Sequence, residues 1–142
     1  MNINEEILEE LYLKAKESFD DGEIPVSAAI FDQENKLICI SGNNRQKNCN
    51  VLGHAEINCI LEAEKKINDW RLDGYYMVVV LEPCEMCSAV IRECRLDKVY
   101  YLLEGKTNNS NSLFINKEKI ENYEIYKEKF NDLLTVFFEN MR

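Results

Sequence analysis

The sequence predicts an α/β fold of three layers, α/β/α, on a mixed sheet. Helical and strand-like hydrophobic patterns follow one another in the order α-β-β-α-β-α-β-loop-α. The first two strands are separated only by the polar stretch Asp32 to Asn35, which makes them a hairpin. Later strands alternate with helices, and Tyr75 to Leu81 (YYMVVVL) is continuously apolar, as suits a strand covered on both faces. A hairpin followed by strand–helix alternation gives a mixed sheet with helices on both sides.

Each element has its own signal. Ile7, Leu8, Leu11, Ala15, Ser18 and Phe19 recur at helical spacing, predicting a helix from about Asn4 to about Asp20, closed near Gly22. Pro25 to Phe31 and Lys36 to Ser41 are the hairpin strands, and Gly42 to Asn50 is a polar loop. Gly53 to about Ile67 is a helix with Ile57, Ile60, Leu61 and Ala63 on its buried side. Pro83 opens the next helix, at the position where a missing N–H costs nothing, and that helix runs to about Cys94. Val99 to Leu103 is a buried strand, and the Asn/Ser stretch Asn108 to Ser112 reads as a loop. Tyr123 to about Asn140 is a terminal helix with Phe130, Leu133, Leu134, Phe137 and Phe138 as its apolar face.

The 142 residues are the length of one domain, residues 1–142, with 46% hydrophobic and 30% charged residues. That composition excludes a disordered chain. No apolar run approaches a membrane span, and the acidic, amphipathic start is not a secretory signal. Six cysteines without an export signal point to the cytoplasm, where thiols serve as metal ligands or core residues rather than disulfides. The net charge of −9 argues against a nucleic-acid binder on first sight. Yet the first 25 residues carry eight acids and two bases, two thirds of the excess, and the rest is close to neutral.

The chemistry concentrates at two predicted helix openings. His54-Ala55-Glu56 opens one and Pro83-Cys84-Glu85-Met86-Cys87 the other. Cys84 and Cys87, three apart, share one helical face, and a helix N-terminus favours their thiolate forms. With His54, the only histidine in the chain, they make three mixed nitrogen and sulfur ligands. That set describes a catalytic zinc site whose fourth position is left for water. Zinc lowers the pKa of such a water to about 7, and a carboxylate beside it, Glu56, can carry its proton to a ring nitrogen or a leaving amine. The reaction this points to is hydrolytic deamination. Alone, a Cys-x-x-Cys is equally a redox pair or half of a structural zinc site. Cys39, Cys59 and Cys94 fall on apolar positions as core thiols, while Cys49 could approach the metal and close the site. Lys65, Lys66, Arg92, Arg95, Lys98 and Lys106 are either a phosphate-facing patch or scattered surface charge.

These motifs resemble the zinc-dependent cytidine deaminase-like superfamily, and within it most of all the bacterial tRNA-specific adenosine deaminases. The likeness rests on His54-Ala55-Glu56-Ile57 and on Leu81-Glu82-Pro83-Cys84-Glu85-Met86-Cys87. Glu23-Ile24-Pro25-Val26, Gly42-Asn43-Asn44-Arg45, Trp70-Arg71-Leu72, and Leu133-Leu134 with Phe137-Phe138 extend it over most of the chain. The sequence departs from the family before His54, where Asn50-Val51-Leu52-Gly53 replaces Asp-Pro-Thr-Ala, and again after the fourth strand, from Leu102 to Asn109.

The resemblance implies a cytidine deaminase-like fold. It implies one Zn2+ per chain on His54, Cys84 and Cys87, with Glu56 as the catalytic proton shuttle. It implies that Asn44 hydrogen-bonds the flipped base and that the backbone near Ala28 lines the base pocket. It further implies a homodimer whose interface helps build the substrate site. The activity implied is conversion of adenosine to inosine at the wobble position of the tRNA anticodon loop. Two alternatives stand beside it: deamination of a free nucleobase, nucleoside or nucleotide, and a zinc-stabilised binding module with Cys49 as fourth ligand.

Overall fold

The computed structural model describes residues 3–105 and 115–140, so Lys106 and the expected loop Asn108 to Ser112 lie outside it. The described elements are α1 Glu5–Asp20, β1 Ser27–Phe31, β2 Leu37–Gly42, α2 Ala55–Ile67, β3 Tyr76–Leu81, α3 Glu85–Glu93, β4 Lys98–Leu103, β5 Lys117–Lys119 and α4 Glu124–Asn140. The strands form one sheet in the order β2-β1-β3-β4-β5. β1 is antiparallel to both neighbours, pairing Ala29 with Ile40 of β2 and with Val78 of β3. β3, β4 and β5 are parallel.

This topology decides where the helices go. Since β1 opposes both β2 and β3, those two strands point the same way. The crossovers β2-α2-β3 and β3-α3-β4 therefore step in one direction, and right-handedness places both helices on one face. α2 and α3 accordingly pack together, and α1 packs with α4 on the other face. α2 and α3 both begin at the end of the sheet where β2 and β3 finish. The mixed-sheet α/β expectation holds.

α1 begins as expected: Asn4 is its N-cap, accepting from the Ile7 N–H at 3.0 Å, and Gly22 takes φ +80° just past its end. Leu8, Leu11 and Ala15 face the core, where Tyr12 meets Phe130 of α4 edge to face. β3 is buried from Met77 to Val80, whereas β4 is only half-buried, with Tyr100 and Tyr101 partly exposed. Cys39, Cys59 and Cys94 are buried free thiols, as expected.

Four expectations need correction. Pro83 does not open α3: Cys84, still extended, is the N-cap, the helix starts at Glu85, and Pro83 lies one residue before the cap. Leu61 is 52% exposed and Phe138 46%, because the faces of α2 and α4 they occupy extend beyond the sheet-contacting stripe. β5, a three-residue edge strand, falls in the stretch read as loop; Lys-Glu-Lys has no apolar period to reveal it. No helix of the described residues is long and apolar enough to cross a membrane.

Candidate active site at two helix N-termini

His54 is the N-cap of α2 and Cys84 the N-cap of α3, and neither side chain caps its own helix. Both are left free to point across the gap between the helix ends. Cys87, in the first turn of α3, joins them from a buried position. His54 Nδ1 lies 3.7 Å from Cys84 Sγ and 3.5 Å from Cys87 Sγ. All three ligand atoms fall within 4.8 Å of one another. A tetrahedral zinc with ordinary Zn–N and Zn–S bonds sets its nitrogen and sulfur ligands about 3.6 Å apart, so the donor set and its spacing fit zinc.

The electrostatics fit as well. Hydrogen bonds accepted from Cys87 and from His54 hold the Cys84 thiol down to about 4. Hydrogen bonding to Cys84 and burial push Cys87 up, so Cys84 is the first thiolate of the pair. Contact with Cys84 also raises His54. Two helix N-termini supply favourable partial charge for the resulting anion.

Glu56, in the first turn of α2, is 5% exposed and is not one of the three ligand residues. Burial raises its carboxyl to about 7, where it can both give and take a proton at neutral pH. It hydrogen-bonds the Cys87 thiol, which places it directly beside the ligand group. Cys49 does not join: it is exposed, and its thiol reaches the Gln46 carbonyl at 3.8 Å.

The surrounding frame uses residues that periodicity did not single out. Asn43 accepts the Ala55 N–H at 2.7 Å, capping α2 in place of His54. Glu23, 2% exposed, accepts the backbone N–H groups of Gln46 and Lys47 at 3.0 and 2.7 Å and pins the loop before His54. Glu82 bonds Lys117 at 2.5 Å and the Gly105 N–H at 3.1 Å, tying the ends of β4 and β5 to the approach to α3. An acid next to the apolar Ile24-Pro25-Val26, and another between Leu81 and Pro83, were the available sequence signals.

Asn44 sits against Gly53, the residue preceding His54, and its backbone N–H donates to the Gly53 carbonyl at 2.9 Å. With Asn58 it lines a polar cavity of about 560 Å³, which the metal-ligand group does not line. Ala28 is fully enclosed in β1 between Ser41 and Val79, so its side chain reaches no open surface. The basic residues are dispersed: Lys65, Lys66 and Arg92 lie in the last turns of α2 and α3, and Lys98 opens β4, all at the far end of the sheet from His54 and Cys84. Arg95 stacks over Trp70. They form no patch beside His54 and Cys84, and of them Lys65 lines the cavity that holds Asn44 and Asn58.

Residues 1–103 match the family model described as the cytidine and deoxycytidylate deaminase zinc-binding region. The chain belongs to that deaminase family. The enzyme is 35% identical to the tRNA-specific adenosine deaminase of Rickettsia bellii (strain RML369-C), over 95% of this chain and 99% of that one. To the tRNA-specific adenosine deaminase of Bacillus subtilis (strain 168) it is 30% identical, over 94% and 91%. The deaminase fold is shared with a solved structure from studies of A-to-I editing by tRNA:A34 deaminases at the wobble position of transfer RNA. That match has TM-score 0.81 and 23% identity, covering 92% of this chain and all of the other. A guanine deaminase from Bacillus subtilis superposes with TM-score 0.67 and 28% identity, covering 80% and 71%.

Gly53 tests this frame. A Cβ there would lie 2.7 Å from the Arg45 backbone and from Asn44 Oδ1, so the loop would have to move. Gly53→Ala should cost about 1–3 kcal/mol in urea unfolding and weaken metal retention by displacing His54. Unchanged stability and metal affinity would show that the loop yields freely.

Proposed function

We propose that this deaminase converts adenosine to inosine at the wobble position of tRNA anticodons, working as a cytoplasmic homodimer with one zinc per chain. The observation that carries the substrate is the run of relatives named tRNA-specific adenosine deaminases, matched along nearly their whole lengths at 30–35% identity. An anticodon loop is single-stranded, so turning its base outward costs less than from a duplex.

His54, Cys84 and Cys87 would hold the metal, and zinc bound there would supply an activated water at neutral pH. Glu56 would take one proton of the attacking water and deliver it to the ring nitrogen N1 as the oxygen bonds C6, then carry the proton of the new C6 hydroxyl to the amine as the C6–N bond breaks and ammonia leaves. Burial suits Glu56 to this, because a carboxyl shielded from bulk water keeps the proton between steps. Asn44 contacts the base, and the backbone near Ala28 forms the inner limit of the base pocket.

The second reading is deamination of a free base, and two observations favour it: the likeness to a guanine deaminase and the charge of −9. Salt separates the two, since RNA capture weakens steeply with added salt and capture of an uncharged base does not.

Zinc-loaded protein should form inosine in a tRNA-arginine anticodon stem-loop carrying a wobble adenosine. Glu56→Ala should keep its zinc and fold and lose at least about 10²–10⁴-fold in kcat. No inosine from zinc-loaded protein, with ammonia released from guanine instead, would overturn the tRNA reading. A Glu56→Ala variant that lost its metal would overturn the shuttle role.

For the homodimer, the supporting feature is an apolar surface on the α2–α3 side. Leu61 and Trp70, 52% and 55% exposed, border a cleft lined by Ile60, Ala89 and Val90. Sedimentation should give twice the 16.6 kDa chain mass, and Leu61→Asp should return the protein to monomers. A monomeric wild type at micromolar concentration would contradict the dimer.

A further inference from the structure

We propose that Asn58 is a positioning residue that makes Asn44 a hydrogen-bond donor toward the substrate base. The inference rests on the substrate reading above.

Asn58 lies on α2 one turn beyond His54, and its backbone N–H bonds the His54 carbonyl. Its side-chain amide makes two bonds of 2.9 Å, one to the Gly42 carbonyl and one to Asn44. The first fixes the second. A backbone carbonyl only accepts, so the Asn58 atom facing Gly42 is Nδ2. That same nitrogen faces Asn44, and Asn44 must therefore answer with its acceptor, Oδ1. Amide orientation, elsewhere a matter of choice, is here set by a main-chain group.

The consequence falls on Asn44. Its backbone N–H is bonded to the Gly53 carbonyl, its backbone carbonyl accepts from the Asn48 N–H, and its Oδ1 accepts from Asn58. With Oδ1 turned toward Asn58 and Gly53, the end of the amide left to face a ligand is Nδ2, which donates only. A base held beside Asn44 is therefore read through an acceptor atom. In adenine, once N1 takes the catalytic proton, the ring acceptors left are N3 and N7. An unanchored Asn44 could turn either end of its amide to the base and would lose that discrimination. The Asn58 side chain bonds Gly42 and Asn44 and none of the three candidate ligand side chains; it acts through Asn44.

The test compares wild type, Asn58→Ala and Asn58→Asp on anticodon stem-loops carrying adenosine, 3-deazaadenosine or 7-deazaadenosine at the wobble position. In the wild type, one of the two deaza substitutions should raise KM by about 3- to 10-fold, the worth of one hydrogen bond. In Asn58→Ala, KM for adenosine should rise by a similar factor with kcat nearly unchanged, and the deaza penalty should vanish. In Asn58→Asp the carboxylate can only accept, so Asn44 turns its oxygen outward, and adenosine should lose more than in Asn58→Ala. A deaza penalty retained in both variants, or absent from the wild type, would overturn the role of Asn58.

Failure of the substrate reading shows separately, as no inosine from the wild type on the unmodified stem-loop. Side-chain amide exchange by NMR then decides the arrangement without substrate. One of the two Asn58 amide protons should exchange at least about 10-fold faster in Asn44→Ala than in the wild type. Unchanged exchange of both protons would overturn the bond itself.

Discussion

The site depends on one topological constraint: β2 and β3 run the same way because β1 opposes both. That common direction brings the first residues of α2 and α3 to one end of the sheet, and His54 and Cys84 sit at those first positions. Ligand spacing, helix-end partial charge and the burial of Glu56 all follow from it. A metal held by His54, Cys84 and Cys87 would link the two helices directly. His54 and Cys84, two of the three candidate ligands, occupy cap positions without capping their own helices, which leaves their side chains free for the group.

Much of this was legible. His-x-Glu and Pro-Cys-x-x-Cys stand out because their residue types are rare and chemically complementary, and the structure draws the same His54, Cys84 and Cys87 together. The order of helices and strands was legible because core-facing stripes, such as Leu8, Leu11 and Ala15, leave a periodic trace. The exact start of α3 was not. Cys84 as N-cap carries no capping signal, and Pro83 before it imitates a first-turn proline. β5 was hidden because an edge strand of charged residues has no buried face to impose a pattern. Leu61 and Phe138 follow helical spacing yet stay exposed, since period alone does not say how wide a neighbouring layer extends.

The polar frame was least legible of all. Glu23 reaches across more than 20 residues to Gln46 and Lys47, Asn43 caps a helix it does not belong to, and Asn58 meets Asn44 only because β2 and α2 pack together. Such bonds have no period and join residues distant in sequence. They are enforced by the cost of leaving buried polar groups unpaired, and no buried side-chain nitrogen or oxygen among the described residues lacks a partner. The ligand set was therefore readable from residue types, while the devices that hold it were readable only in three dimensions.

The central claim is an open, three-ligand zinc centre with a carboxylate kept beside it. X-ray absorption at the zinc edge of the metal-loaded wild type addresses it most directly. An open centre gives two sulfurs near 2.3 Å, one histidine nitrogen, and a fourth light donor from solvent at about 2.0 Å. A third sulfur, bringing Cys49 into the site, would mean a closed structural centre and contradict the account.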